Sequence, residues 1–267
     1  MKTIIYYFTG TGNSLAAAKK IAAGLEDCEL VPIASLMNTT GDVTPQAGRV
    51  GIVYPVYFQG LPAIVVSFAG RLNLSHSQYT FSVTTQNGLG GSSALQQLDS
   101  ILRKRKDHGL DAGFIVNMPG NYILLYSSPV GMKRDTILTK ADKKLTDITA
   151  MIGRMEHREL PYHLIVQLMH ALWYNRFLSH VHNDDRKFSV NDKCTACGTC
   201  AAICPAENIE LVDGRPVWKH HCELCVGCIH VCPVKAIQGG HRTARRPRYR
   251  NPTVSVSELK AQRGEKE

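Results

Sequence analysis

The segment Cys194-Thr-Ala-Cys197-Gly-Thr-Cys200-Ala-Ala-Ile-Cys204-Pro205 constrains the C-terminal part of the chain more tightly than any other. Its spacing, C-x2-C-x2-C-x3-C-P, occurs again at Cys222, Cys225, Cys228, Cys232 and Pro233. Eight of the nine cysteines therefore belong to two matched motifs. Thiolates spaced three residues apart can surround one corner of an iron–sulfur cubane, so the pair of motifs predicts a double cluster site.

The two motifs resemble those of the two-cluster bacterial ferredoxins, over about residues 187 to 240. In that family the chain turns at each proline, and the fourth cysteine of each motif ligates the other cluster. The resemblance therefore implies two [4Fe–4S] clusters. The first would take Cys194, Cys197, Cys200 and Cys232. The second would take Cys222, Cys225, Cys228 and Cys204.

Other uses of clustered cysteines fit this pattern poorly. A disulfide framework belongs to secreted chains, and no signal peptide is expected here. Structural zinc sites use two separated CxxC or Cys/His pairs, which would leave the third cysteine of each motif unused. The spacing C-x3-C-x2-C of radical-generating clusters is not present. The ninth cysteine, Cys28, begins a predicted strand and is expected to be a small buried residue.

The composition is that of a globular protein with a substantial core. The 267 residues allow one large domain or two smaller ones, and the hydrophobic share of 44% and charged share of 20% are ordinary. No run of 18 apolar residues predicts a membrane span. Thiolate clusters need reducing conditions, so a cytoplasmic location is expected. The net charge of +9 favours acidic partners.

The N-terminal residues predict an anion-binding loop. Residues 3–8 form a β-branched and aromatic run, the loop Thr9-Gly10-Thr11-Gly12-Asn13-Ser14 follows, and residues 15–25 have strong helix propensity. Free backbone N–H groups at a helix start can bind an anion. The loop has no Walker lysine and does not complete G-x-G-x-x-G, so an ATP or NAD site is not expected.

Further alternation along the chain predicts a parallel sheet covered on both faces. Strands are predicted at 28–33, 50–54, 79–85 and 113–118, and helices at 62–72, 92–106 and 132–157. Ligands of such sheets bind at the carboxyl ends of the strands. Three loops are expected at that edge: residues 9–14, 55–60 and 86–92.

The stretch Tyr7-Phe-Thr9-Gly10-Thr11-Gly12-Asn13-Ser14 resembles the flavodoxin phosphate loop, with Ser14 in place of the commoner threonine. The likeness covers about residues 1 to 158 and implies a flavodoxin-like doubly wound α/β domain with a five-stranded parallel sheet that binds FMN. The phosphate would contact Thr9, Gly10, Thr11, Gly12, Asn13 and Ser14. The isoalloxazine ring would lie beside Pro55, Val56, Tyr57 and Phe58. Its polar edge would face Asn87, Gly88, Leu89, Gly90 and Gly91.

Blander interpretations of these loops stay open. Tyr57 and Phe58 could be ordinary core aromatics, the glycines could be plain turn residues, and the fold could serve as a docking module without FMN. Residues 117–123, Asn-Met-Pro-Gly-Asn-Tyr-Ile, follow the last strand at the same edge. Ligand contact and simple turn formation are equally expected there.

Residues 161–182 predict a helix in which Leu164, Leu168 and Leu172 recur at i, i+4 and i+8. The favoured interpretation is an amphipathic helix whose leucine side packs one domain against the other. Attachment to a membrane surface is the alternative, but the polar face lacks the expected lysines.

The tail from residue 241 carries five arginines among residues 242–250 and no acid in that span. It is predicted to form a strap across the first domain rather than a docking strip for an acidic partner. No aromatic platform or motif supports nucleic-acid binding.

The predicted organisation is a flavodoxin-like FMN-binding domain (1–158), a helical linker (159–186), a small α+β two-cluster ferredoxin-like domain (187–240) and a basic C-terminal tail (241–267). This combination resembles the flavodoxin–ferredoxin fusion proteins of anaerobes, which are generally electron carriers or small reductases.

Two functions follow from that resemblance. The first is electron transfer between the clusters and FMN, with single electrons exchanged with redox partner proteins. The alternative is an FMN-dependent reductase of a small organic acceptor, with Asn121 and Tyr122 forming a lid and Tyr57 donating a proton. A redox sensor is a weaker third option. No catalytic triad or NAD(P)H motif is present, so whether the chain is an enzyme stays open.

Overall fold

The computed structural model describes residues 1–105 and 108–264. Lys106, the last residue of a predicted helix, lies outside the described residues, as do residues 265–267 of the predicted tail. Strands and helices alternate through the N-terminal half. The strands are β1 (Thr3–Tyr7), β2 (Cys28–Pro32), β3 (Arg49–Pro55), β4 (Tyr79–Gln86) and β5 (Ala112–Asn117). The helices are α1 (Asn13–Ala23), α2 (Ile33–Leu36), α3 (Ala63–Ala69), α4 (Gly91–Lys104) and α5 (Gly131–Gly153).

The five strands form one parallel sheet in the order β2-β1-β3-β4-β5. This is the strand order of the flavodoxin-like doubly wound fold, so the predicted fold class is confirmed. Successive side chains of β1 point to opposite faces. Ile4 and Tyr6 pack with residues of α2, α3 and α4. Ile5 and Tyr7 pack with residues of α1 and α5, which gives the domain a core on each face of the sheet.

Cys28 differs from its prediction. It begins β2, which lies at the edge of the sheet, and its side chain is only half-buried. This partial burial raises the pKa of the thiol to about 11.

The C-terminal half contains a smaller α+β unit. After α6 (Leu164–His180) and a short 3-10 segment (Val181–Lys187), the elements are β6 (Phe188–Val190), α7 (Thr199–Ala202), β7 (Ile209–Val212), β8 (Arg215–Trp218), α8 (Gly227–Val231) and β9 (Ile237–Gly239). β6 pairs antiparallel with β9, and β7 and β8 form a hairpin. The hairpin turn falls at Asp213 and Gly214, which both have positive φ. One cysteine motif lies on each side of this hairpin.

The leucine side of α6 does not pack between the domains, so that prediction is wrong. Leu164, Leu168 and Leu172 are 61%, 56% and 73% exposed. The buried residues of α6 include Tyr174 and Phe177. Two residues of helix correspond to a rotation of about 200°, so the aromatic face lies opposite the leucines. No helix in the described ranges, α6 included, has the length and apolar character required to cross a bilayer.

The aromatic face of α6 packs on the loop after β3. The Tyr174 hydroxyl donates a hydrogen bond to the Leu61 carbonyl at 2.7 Å. The ring of Phe177 stacks on Phe58 with centroids 4.5 Å apart. A tyrosine can satisfy a loop carbonyl in this way, whereas leucine cannot, which explains why the aromatic face is the buried one.

The tail runs back across the first domain, as the strap prediction expected. After a 3-10 turn (His241–Arg245), the Asn251 N–H donates to the Thr11 carbonyl at 2.9 Å. The Tyr249 hydroxyl donates to Asn13 Oδ1 at 2.6 Å. The tail thus contacts the phosphate loop directly.

The end of the tail is fixed by a short helix, α9 (Val256–Ala261). Ser255 and Glu258 form a capping box at its start. Glu258 also forms an ion pair with Lys19 of α1. Together these contacts hold the strap on the α1 side of the sheet.

Candidate functional site

A pocket of about 260 Å³ lies at the carboxyl ends of β1, β3 and β4. We call it the edge pocket. It lies at the switch point of the sheet, where β1 has a neighbour on each side and where doubly wound folds bind their ligands. It brings together most of the residues that the flavodoxin resemblance indicated. These are Thr9, Gly10, Thr11, Asn13, Ser14, Pro55, Val56, Tyr57, Phe58, Asn87 and Leu89.

Four glycines indicated by the same resemblance do not line the edge pocket: Gly12, Gly88, Gly90 and Gly91. Gly12 has a φ of 97°, and a Cβ there would lie 3.0 Å from the Val254 side chain. It therefore permits the loop to turn and the tail to approach. Gly90 has a φ of 116° and precedes α4, which begins at Gly91. These glycines shape the loops rather than the pocket wall.

The phosphate loop keeps its donors available. The Gly12 N–H donates to Thr9 Oγ1 at 3.1 Å, which closes the loop. The Ser14 and Thr85 hydroxyls lie 2.8 Å apart and tie the loop to β4. No side chain caps the start of α1, and its first turn contains no acid. The first N–H groups of this helix can therefore bind an anion.

Residues 118–122 line the edge pocket, together with Leu125 and Tyr126. The Asn121 amide donates to Thr11 Oγ1 at 2.7 Å. The Asn121 carbonyl lies 2.7 Å from Nε2 of His230, in the cysteine-rich unit. The sequence left this segment undecided between ligand contact and turn. The structure makes it a wall of the pocket, held between the phosphate loop and the second unit.

The sequence did not indicate several other lining residues. They include Phe177 of α6 and the run Leu224, Cys225 and Val226. The cysteine was identified only as a cluster ligand, and nothing in its motif shows that its loop also faces the sheet domain. Phe177 depends on the rotation of α6, which two apolar faces left ambiguous.

The Tyr57 side chain offers a donor toward this pocket. Its hydroxyl is buried and has no hydrogen-bond partner among residues 1–105 and 108–264. Burial, and then the nearby Cys225, raise the pKa of the phenol well above its ordinary value, so it stays protonated. A buried, unpaired hydroxyl in a pocket wall indicates a ligand with a polar atom.

The edge pocket is uncharged. Within the described part of the chain, no Asp, Glu, Lys, Arg or His side chain lines it. An anion there would be bound by backbone N–H groups and hydroxyls alone, as the flavodoxin resemblance implies for the FMN phosphate. The apolar and aromatic wall suits a planar ring.

The eight motif cysteines line two separate cavities in the second unit. The first cysteine cavity is lined by Cys194, Cys197, Cys200 and Cys232. The second cysteine cavity is lined by Cys204, Cys222, Cys225 and Cys228. Each cavity thus combines three cysteines of one motif with the fourth of the other. These are the two ligand sets that the ferredoxin resemblance implied.

The cysteine cavities fit a cluster better than a single ion. All nine cysteines are free thiols. In the described ranges, no three His, Cys, Asp or Glu side chains are placed to hold one metal ion. Backbone N–H groups already point at the sulfurs: Leu224 N–H lies 3.2 Å from Cys222 Sγ, and Ala236 N–H lies 3.2 Å from Cys232 Sγ. Such donors stabilise sulfur charge in iron–sulfur proteins.

Two buried titratable groups lie beside the second motif. Burial raises the pKa of Glu223 to about 7, although the carboxylate accepts a hydrogen bond from the Ile64 N–H at 3.0 Å. Burial lowers the pKa of His230 to about 4. His230 Nδ1 accepts from the Tyr249 N–H, so its proton lies on Nε2, which donates to Asn121. Both groups connect the cysteine unit to the rest of the molecule.

No protein-family model matches the chain. Two curated proteins are similar to its C-terminal part. A ferredoxin of Pyrobaculum islandicum is 43% identical over 49 residues, which cover 17% of this chain and 45% of that protein. An iron–sulfur protein of the Frd operon of Proteus vulgaris is 31% identical over 78 residues, which cover 21% and 49%. The chain spans about half the length of the curated relatives it matches.

Solved flavoproteins overlap the N-terminal half weakly. A flavoprotein in complex with FMN from Lactobacillus acidophilus has 15% identity and a TM-score of 0.32, with 43% of this chain and 91% of that chain covered. An FMN-dependent NADH-azoreductase of Bacillus anthracis has 8% identity and a TM-score of 0.37, with 57% and 100% covered. The fold assignment rests on the strand order, not on these scores.

Proposed function

We propose that the chain is an electron-transfer flavoprotein. It would carry FMN in the edge pocket and a [4Fe–4S] cluster in each cysteine cavity, and it would exchange single electrons with redox partner proteins. A cluster exchanges one electron, whereas FMN holds one or two, so the assembly can convert between single electrons and pairs.

The observation that carries this proposal is a shared wall. Cys225 and Val226 line both the edge pocket and the second cysteine cavity. A Cβ on Gly10 would lie 2.6 Å from the Cys225 carbonyl oxygen. The phosphate loop and the second cysteine motif are therefore in van der Waals contact, so two groups bound in these sites would be immediate neighbours.

The residues assign a role to each part of the edge pocket. The N–H groups at the start of α1 and the hydroxyls of Thr9 and Thr11 would hold the phosphate. Tyr57 and Phe58 would flank the ring, and the Tyr57 hydroxyl would hydrogen-bond to it. Asn121 would hold the loop rather than the ligand, because its amide and carbonyl already have partners.

The first cysteine cavity is the proposed entry point for electrons. Cys197 is exposed, whereas Cys225 and Cys228 are buried. Leu211 and Val217 of the neighbouring hairpin are both 41% exposed and offer an apolar contact. The net charge of +9 favours an acidic partner, whose docking would weaken with salt.

The alternative, a reductase of a small organic acceptor, is favoured by one observation. Tyr122 and Tyr126 line the edge pocket, so its mouth carries a wall that a simple carrier does not need. Such an acceptor would be neutral, because no described lining side chain is charged. The phosphates of NADH or NADPH would find no cationic side chain there.

Cofactor extraction followed by anaerobic titration tests the proposal. About eight irons and one FMN per chain are expected. Dithionite or a reduced ferredoxin should bleach the clusters and the flavin, and NADH or NADPH should not. A protein without FMN would overturn the proposal for the first domain. Direct reduction of the flavin by a nicotinamide nucleotide would favour the reductase.

A further inference from the structure

The indole of Trp218 has an unused donor at the second cysteine cavity. Trp218 ends β8 and lines this cavity together with its four cysteines. Its Nε1 is buried and has no hydrogen-bond partner in the described part of the chain. We propose that this N–H donates a hydrogen bond to a sulfur of the cluster held there and raises the reduction potential of that cluster. This inference rests on the proposed function.

The surroundings of Trp218 hold the indole in place. Its backbone pairs with Ile209 across the β7–β8 hairpin. The ring of Phe188 meets the indole edge-on, with centroids 5.8 Å apart and planes at 78°. The side chain is therefore packed as a fixed donor rather than as a mobile surface group.

The polar groups around the cavity leave no better partner for the indole N–H. The Asn208 amide group donates to Asp185 at 2.7 Å, and its oxygen accepts from the His221 N–H at 2.8 Å. Glu223 accepts from the Ile64 N–H. A water bridging to the indole would need two or more free polar partners, and these groups are engaged elsewhere. A cluster sulfur is an acceptor that the cavity itself is built to contain.

The donor would affect one cluster selectively. Among the described residues that line the first cysteine cavity, none has a buried polar side-chain atom without a partner. Reduction adds one negative charge to a cluster, and a buried site makes that charge costly. The buried second cavity would thus hold the cluster that is harder to reduce. An indole N–H next to sulfur offsets this penalty.

The consequence concerns the passage of electrons toward the edge pocket. The second cysteine cavity shares Cys225 and Val226 with that pocket. An electron entering at the exposed first cavity must pass the second cluster before it reaches the flavin. Trp218 would keep this inner cluster reducible without touching the flavin. It is therefore a positioning and tuning residue rather than a catalytic one.

The variant Trp218→Phe removes the N–H and keeps an aromatic ring. Trp173→Phe is the matched control, because Trp173 is the only other tryptophan and is 57% exposed on α6. Both proteins are loaded with clusters and FMN and titrated reductively under EPR. Trp218→Phe should lower one of the two cluster potentials by about 59 mV, a tenfold change in a one-electron equilibrium, which is the order of one net hydrogen bond. Trp173→Phe should leave both potentials unchanged.

A second measurement uses the native sequence and does not depend on how the variant folds. Indole-15N tryptophan is incorporated, and pulsed EPR of the reduced protein is recorded. A 15N coupling to one cluster is expected in the native protein and in Trp173→Phe. Unchanged potentials in Trp218→Phe, or the absence of this coupling, would overturn the inference. Either result with about eight irons per chain leaves the proposed function intact, whereas missing iron refutes that function instead.

Discussion

At the scale of single residues, Gly10 decides whether the two units can touch. A Cβ at this position would lie 2.6 Å from the Cys225 carbonyl oxygen and 2.9 Å from its Cβ. The first of these atoms is backbone, so the contact cannot be relieved by a side-chain rotation. The glycine is required for close approach and not for a special φ angle.

Gly10→Ala is expected to destabilise the protein by about 1–3 kcal/mol, the usual cost of overpacking. FMN binding should weaken as well, because the clash displaces the proposed phosphate loop. Chemical denaturation and FMN fluorescence titration measure the two effects. The matched control is Gly70→Ala, where the nearest atoms would lie 3.5 Å away and φ is −65°. Its stability should stay within about 1 kcal/mol of the native protein. Equal behaviour of the two variants would refute the contact.

At the scale of secondary-structure elements, α6 shows where periodicity stops being informative. Its leucines and its aromatic residues both recur at helical spacing, so the sequence predicts the helix but not its rotation. The structure resolves the choice through Tyr174 and Phe177, which meet the loop after β3.

Phe177→Ala is expected to cost about 3–5 kcal/mol of stability, because the ring is 2% exposed and stacks on Phe58. Leu168→Ala on the same helix should cost less than about 0.5 kcal/mol, since that side chain lies mostly in solvent. Urea denaturation of both variants checks the difference. A larger loss for Leu168→Ala would restore the leucine face as the packing face.

The elements that the sequence predicts best are those specified by local chemistry. The parallel sheet follows from alternating apolar runs, and the observed strands match their predicted positions closely. Cys28 was harder to place, because strand order decides whether β2 is central or at the edge. Register and order depend on long-range packing, which a local pattern does not contain.

At the scale of the whole molecule, the candidate site divides in the same way. The phosphate loop, the aromatic loop and the two cysteine sets could be indicated from local motifs. The walls made by Tyr126, Phe177 and Val226 could not, because they come from distant parts of the chain that meet only on folding. The shared wall at Cys225 is a property of the assembled molecule. It is also what connects the two proposed cofactor sites into one function.

The central claim is that electrons reach the flavin through the cluster of the second cysteine cavity. Cys228→Ser tests it most directly, because Cys228 lines that cavity but not the edge pocket. The variant should lose about half of its iron and keep FMN. In anaerobic stopped-flow mixing with a reduced ferredoxin, flavin bleaching should be fast in the native protein and lost in the FMN-loaded variant. Flavin reduction at the native rate in that variant would contradict the account.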